Sequence, residues 1–124
     1  VKVLLIDGQS PVSERLRGAI SELSDVQVEM LEPDGVEVDE RIARLHPDVV
    51  LIDIDESRSR GLEIIRRIHG KGAERGPVIM AIAGSTSIQY RASCLEAGAM
   101  YFFNRIREQD WLLESLTSLR EQLG

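Results

Sequence analysis

Residues 47–68 read PDVVLIDIDESRSRGLEIIRRI, and the two ends of this stretch carry different apolar periods. Over 49–54 the residues are almost continuously apolar and branched, the pattern of a strand covered on both faces, as parallel strands are. Leu62, Ile65 and Ile68 then recur at helical spacing and so share one helix face. Pro47 stands ahead of the strand, where a missing amide donor is tolerable. A buried strand followed by an amphipathic helix is one unit of an α/β sheet whose crossovers are helices.

The same alternation runs outward in both directions. Strands are predicted at 3–6, 26–31, 78–82 and 100–103 besides 49–54. Helical spacing joins Val12, Leu16, Ile20 and Leu23, then Val38, Ile42 and Leu45, ahead of the quoted stretch. Behind it come Ile88, Ala92 and Leu95, then Leu112, Leu116, Leu119 and Leu123. Ser10-Pro11 reads as an N-cap followed by proline at the first helical position, and Gly98 stands where a helix should end before the last strand. Pro77 precedes the fourth strand as Pro47 precedes the third. Five βα units with right-handed crossovers give one doubly wound α/β domain over 1–124, a parallel sheet with helices on both faces. Two polar stretches, 56–60 with two arginines and 70–76 with three glycines, are expected to be mobile.

A chain of 124 residues supplies one core and not two, and 43% apolar with 29% charged residues excludes wholesale disorder. Fifteen basic against 21 acidic side chains leave a net charge of −6, so there is no basic stripe to follow a phosphate backbone and direct nucleic-acid binding is not expected. The single cysteine, Cys94, allows no intrachain disulfide and suits a reducing cytoplasm. No apolar run reaches the ~18 residues of a membrane span, and no signal-peptide pattern opens the chain. Because the first residue is Val1 and not Met, a domain from something longer is expected.

In doubly wound sheets ligands sit at the carboxyl ends of the strands, beside the point where strand order reverses. Asp7 ends the first predicted strand, Asp53 lies near the end of the third, and Arg105 follows the fifth. Two carboxylates with a facing cation suit a divalent metal and a phosphoryl group received on a carboxylate. The plainer reading is an ion pair between Arg105 and one of the acids that only satisfies polar groups at the sheet edge.

The segments VLLIDGQS (3–10), PVIMAIAG (77–84) and EAGAMYFFNRI (96–106), with the quoted stretch, resemble the receiver domain of two-component response regulators over nearly the whole chain. The resemblance implies a flavodoxin-like sheet of strand order 2-1-3-4-5, a cytoplasmic signalling role and no enzymatic one. It further implies that Asp53 is the aspartate phosphorylated by a histidine kinase or a small phosphodonor. Asp7, Asp53 and the backbone carbonyl of Asp55 would hold Mg²⁺, and Phe102 would be the switch aromatic. The partners implied are a histidine kinase or other signalling protein, an output domain in a longer chain, and a second copy. Receivers often pair through the surface of the fourth helix, fifth strand and fifth helix, where Trp111 falls.

Several positions depart from that pattern. Gly8 stands where the family has a second acid, and a loss of roughly 10- to 100-fold in metal affinity is expected, so Mg²⁺ is weakened or absent. Ile82 stands where the family has Thr or Ser, and a lost hydrogen bond to a charged group is worth roughly 1.5–3 kcal/mol, enough to collapse a switch of a few kcal/mol. Ser85, Thr86 or Ser87 would substitute only if Gly84 lets the loop bend. Arg105 replaces lysine, keeping the charge but with a larger planar fork that can grip phosphate or lock onto Asp7 or Asp53. Ile106 replaces the proline that follows.

Two readings follow. One is a receiver phosphorylated on Asp53 whose degenerate site regulates an output domain or partner; the other is a phosphorylation-independent pseudo-receiver acting as an interaction or dimerisation module. A flavodoxin-like cofactor binder is disfavoured, because Asp7-Gly8-Gln9-Ser10 holds a single glycine and no phosphate cradle. His46 and His69 stand alone and support no zinc site, and Cys94 reads as a small helix residue packed on the sheet. Of Tyr101 and Phe102, one should pack inward and one outward.

Overall fold

The computed structural model describes residues 1–8, 11–32, 37–70, 76–84 and 89–123, with backbone alone for 55–59 and 123. The five apolar runs become β1 (Lys2–Ile6), β2 (Gln27–Leu31), β3 (Val49–Asp53), β4 (Val78–Ala83) and β5 (Tyr101–Asn104). Between and after them lie α1 (Pro11–Ser21), α2 (Val38–Leu45), α3 (Ile54–Gly70), α4 (Arg91–Ala97) and α5 (Gln109–Leu123). All pairings are parallel and the strand order is β2-β1-β3-β4-β5, as expected of a flavodoxin-like sheet.

The burial of each strand follows its place in the sheet. β3, at the centre, is buried at every residue, and β1 and β4 beside it are nearly so, whereas the edge strand β2 alternates between exposed and half-buried before Leu31. Successive side chains leave opposite faces of a strand, so β3 feeds two layers. Val50 and Ile52 join Ile64, Ile65 and Ile68 of α3 and Cys94 of α4. Val49 and Leu51 join Leu16 and Ile20 of α1 and Leu112 and Leu116 of α5. Truncating a side chain such as Leu51 costs about 2–5 kcal/mol, because a close-packed interior cannot collapse onto the void.

Several boundaries differ from those predicted. β5 runs one residue later than 100–103, because Met100 is exposed while the backbone N–H of Arg105 still bonds the carbonyl of Ala83 and carries the ladder past Phe103. β3 ends at Asp53, since Ile54 already begins α3. That helix takes in 56–60, which the sequence marked as mobile: polar residues there hide the apolar period, but Glu and Arg are good helix formers. Pro11 opens α1 and Gly98 closes α4 as expected, while Ser10, Ile88 and 71–75 lie outside the described residues. At Gly98 (φ 129°) a Cβ would come within 2.5 Å of the His69 ring, so both backbone and space require glycine.

Candidate functional site

The carboxyl edge of the sheet gathers the acids. Asp7 continues β1 by one residue, its N–H donating to the Leu31 carbonyl at 3.0 Å. Ile6 is in register with Ile52, so Asp7 lies level with Asp53, and Asp53 in turn lies level with Ile82. Both carboxyl-bearing residues are buried, Asp7 2% exposed and Asp53 0%. Gly8 brings no side chain, and its carbonyl accepts a hydrogen bond from the Ser13 hydroxyl in the first turn of α1.

Arg105 closes this edge. Its Nη2 pairs with Oδ2 of Asp53, with the arginine side chain 19% exposed and the aspartate wholly buried. The plainer sequence reading, an internal ion pair, is therefore present, and Asp53 is the acid that Arg105 meets. A buried carboxylate needs such a partner: breaking a buried pair from one side costs about 3–5 kcal/mol because the other charge is stranded.

Two residues the sequence reading passed over build the turn from which Arg105 departs. The Asn104 carboxamide oxygen accepts the backbone N–H groups of Ile106 and Arg107, both at 3.0 Å. The Glu108 carboxylate accepts the backbone N–H of Asn104 at 2.8 Å, and the Glu108 N–H returns to the Asn104 carbonyl at 2.9 Å. The signal was present as an Asn just after an apolar strand with Glu four residues on, ahead of a helix.

The remaining sites separate. Ile82 is 0% exposed, in the layer of α1 and α5, and offers Asp53 no hydroxyl. Phe102, the expected switch aromatic, points into the opposite layer with Ala81, Ala83, Cys94 and Ala97, while Tyr101 faces out and stacks on Phe103 with ring centroids 5.7 Å apart. Asp55 falls in the first turn of α3, which aligns its carbonyl with the helix axis. Ser85, Thr86 and Ser87 lie outside the described residues. Burial pushes the Cys94 thiol up to about 11 from 9.0.

Asp7, Asp53 and the Asp55 carbonyl are the oxygen donors expected around a Mg²⁺ ion. The ion takes oxygen ligands, yet a guanidinium occupies the Asp53 carboxylate and Gly8 supplies no carboxylate of its own. Among the described residues no three His, Cys, Asp or Glu side chains form a metal-holding group.

Several large apolar side chains are exposed: Leu95 of α4, Met100 and Tyr101 at β5, Ile106 in the turn and Trp111 of α5, with Ile106 at 79% and Trp111 at 62%. Among the described residues no helix is long and apolar enough to cross a membrane.

Comparison with known proteins agrees with this architecture. The chain is similar to the response regulator MprA of Mycobacterium tuberculosis, 33% identical over 99 residues that make up 80% of this chain and 41% of that protein. It is similar to a protein-glutamate methylesterase/protein-glutamine glutaminase of Geobacter metallireducens, 38% identical over 104 residues, 81% of this chain and 29% of that one. The chain thus spans less than half the length of these relatives. The BeF3-activated N-terminal receiver domain of Klebsiella pneumoniae RstA superposes with a TM-score of 0.79 at 24% identity, covering 94% of this chain and 96% of that one, a likeness of fold. The profile of the response regulator receiver domain matches residues 3–117, and the chain belongs to that family.

Proposed function

We propose that this receiver works as an interaction module whose acceptor edge is neutralised from within, and that it passes its signal by binding a partner rather than by taking a phosphoryl group. The observation that carries this reading is the Arg105–Asp53 pair at a carboxylate with no exposure. Ile82 beside Asp53 supports it, since a phosphoryl group there would meet an alkyl chain where a hydroxyl is needed. The module is part of a longer cytoplasmic regulator; its partners are a signalling protein, an output domain in the same chain, and a second copy meeting it through Tyr101 and Trp111. With a net charge of −6, any contact with DNA falls to the output domain.

Receiver domains generally hold Mg²⁺ at the phosphorylation site, and a second reading keeps Asp53 as a phosphoacceptor for a histidine kinase with weakened metal binding. It is favoured by one observation, the buried Asp7 level with Asp53. The two readings part when the protein is incubated with Mg²⁺ and acetyl phosphate, with intact mass and amide shifts recorded and Asp53→Asn as control. We expect neither a phosphoryl mass increment nor shifts. An increment that vanishes in Asp53→Asn overturns the first reading and establishes the second.

A further inference from the structure

Building on the reading of Arg105 as an internal counter-charge, we infer that Asn104 and Glu108 are positioning residues that hold Arg105 on Asp53 by fixing the turn from which its side chain leaves. The turn is closed on every side. Before Arg105, the backbone of Asn104 is bonded at both its N–H and its carbonyl to Glu108. After it, the amides of Ile106 and Arg107 are bonded to the Asn104 side chain. At Arg105 itself the N–H donates to the Ala83 carbonyl at 2.8 Å, tying the turn to the end of β4. The stretch Asn104-Arg105-Ile106-Arg107-Glu108 contains no glycine to act as a hinge.

These bonds do more than start a helix. A residue just ahead of a helix ordinarily turns its side chain forward onto the first free amides. Glu108 precedes α5, yet its carboxylate reaches back to Asn104. The amides that Asn104 captures, at Ile106 and Arg107, lie before α5 begins, so the carboxamide shapes the turn that carries Arg105 as well as the entry to the helix. With the main chain on either side of Arg105 fixed, the guanidinium is delivered to the buried Asp53 carboxylate and competes there with any cation.

The test is Mg²⁺ titration of the whole chain, followed by amide shifts at Asp7 and Asp53 and paired with thermal unfolding. Arg105→Ala sets the reference for a freed carboxylate. Asn104→Ala and Glu108→Ala should raise Mg²⁺ affinity toward that reference by about tenfold, the size of effect that changes behind a metal's ligands produce. Glu108→Gln, which loses the same charge but keeps an acceptor oxygen, should stay near wild type. A merely structural role would lower the unfolding temperature and leave Mg²⁺ affinity alone. If both alanine variants bind Mg²⁺ as wild type does while Arg105→Ala binds it better, the positioning role is overturned and the Arg105 reading stands. If Arg105→Ala gains no affinity either, the counter-charge reading falls with it. Should Asn104→Ala fail to fold, the contrast of Glu108→Ala with Glu108→Gln decides alone.

Discussion

The two edges of the sheet treat aspartate in opposite ways. At the amino edge a cavity of about 670 Å³ is lined by Lys2, Asp25, His46 and Asp48 among others. Its charges stay in contact with solvent, and Asp48 accepts the backbone N–H of Lys2 at 2.8 Å. At the carboxyl edge Asp7 and Asp53 are enclosed, and Asp53 is held by Arg105. In water a carboxylate costs little wherever it sits; out of water its charge must be compensated or the fold loses stability. The contrast teaches that enclosure, more than the presence of an acid, is what calls for a facing cation.

The largest expected effect breaks this contrast directly. Arg105→Ala should lower unfolding free energy in urea by about 3–5 kcal/mol, since it strands a buried carboxylate. Asp48→Asn at the open edge should change it by no more than about 0.5 kcal/mol. Equal losses would remove the distinction between the edges.

A smaller effect attends the apolar neighbour. Ile82→Thr should cost about 1–3 kcal/mol for burying a hydroxyl, measured by the same denaturation. Combined with Gly8→Asp it should improve Mg²⁺ binding, while phosphoryl-dependent shifts near Phe102 should emerge only when Arg105→Lys is added. Shifts in the double variant alone would show that Arg105 does not hold the site.

The opposite layer supplies a pH test. The Cys94 thiol is raised from 9.0 to about 11 by burial, so between those values the folded chain keeps a proton that the unfolded chain has lost. Stability should therefore fall as pH climbs through that window, and Cys94→Ala should show less of the fall. A slope unchanged in Cys94→Ala would mean the thiol does not titrate as its burial demands. The smallest effect belongs to Trp111→Ala, expected within about 0.5 kcal/mol of wild-type stability because the side chain is exposed. Sedimentation should nonetheless show weaker self-association; an unchanged monomer–dimer balance would rule out pairing through that face.

Much of this was legible before the structure. Continuous apolar runs marked β1, β3 and β4 because strands covered on both faces leave no room for polar alternation. The pairing of Arg105 with an acid was one of two outcomes its fork allowed, and which acid it meets depends on the placement of Asp53 beside it. Asn104 and Glu108 were passed over because a five-residue turn has no period to read, and its meaning depends on what β4 places beside it. The extension of α3 through 56–60 escaped for a related reason: residues without an apolar face give the helical period nothing to mark.

A double-mutant cycle of Arg105→Ala with Asp53→Asn in urea measures the coupling between Arg105 and Asp53. If the pair holds the edge closed, the loss from Arg105→Ala should shrink by about 2–3 kcal/mol once Asp53 carries no charge, and that difference is the coupling. Losses that simply add would mean that Arg105 and Asp53 act independently and that the acceptor edge is not neutralised from within.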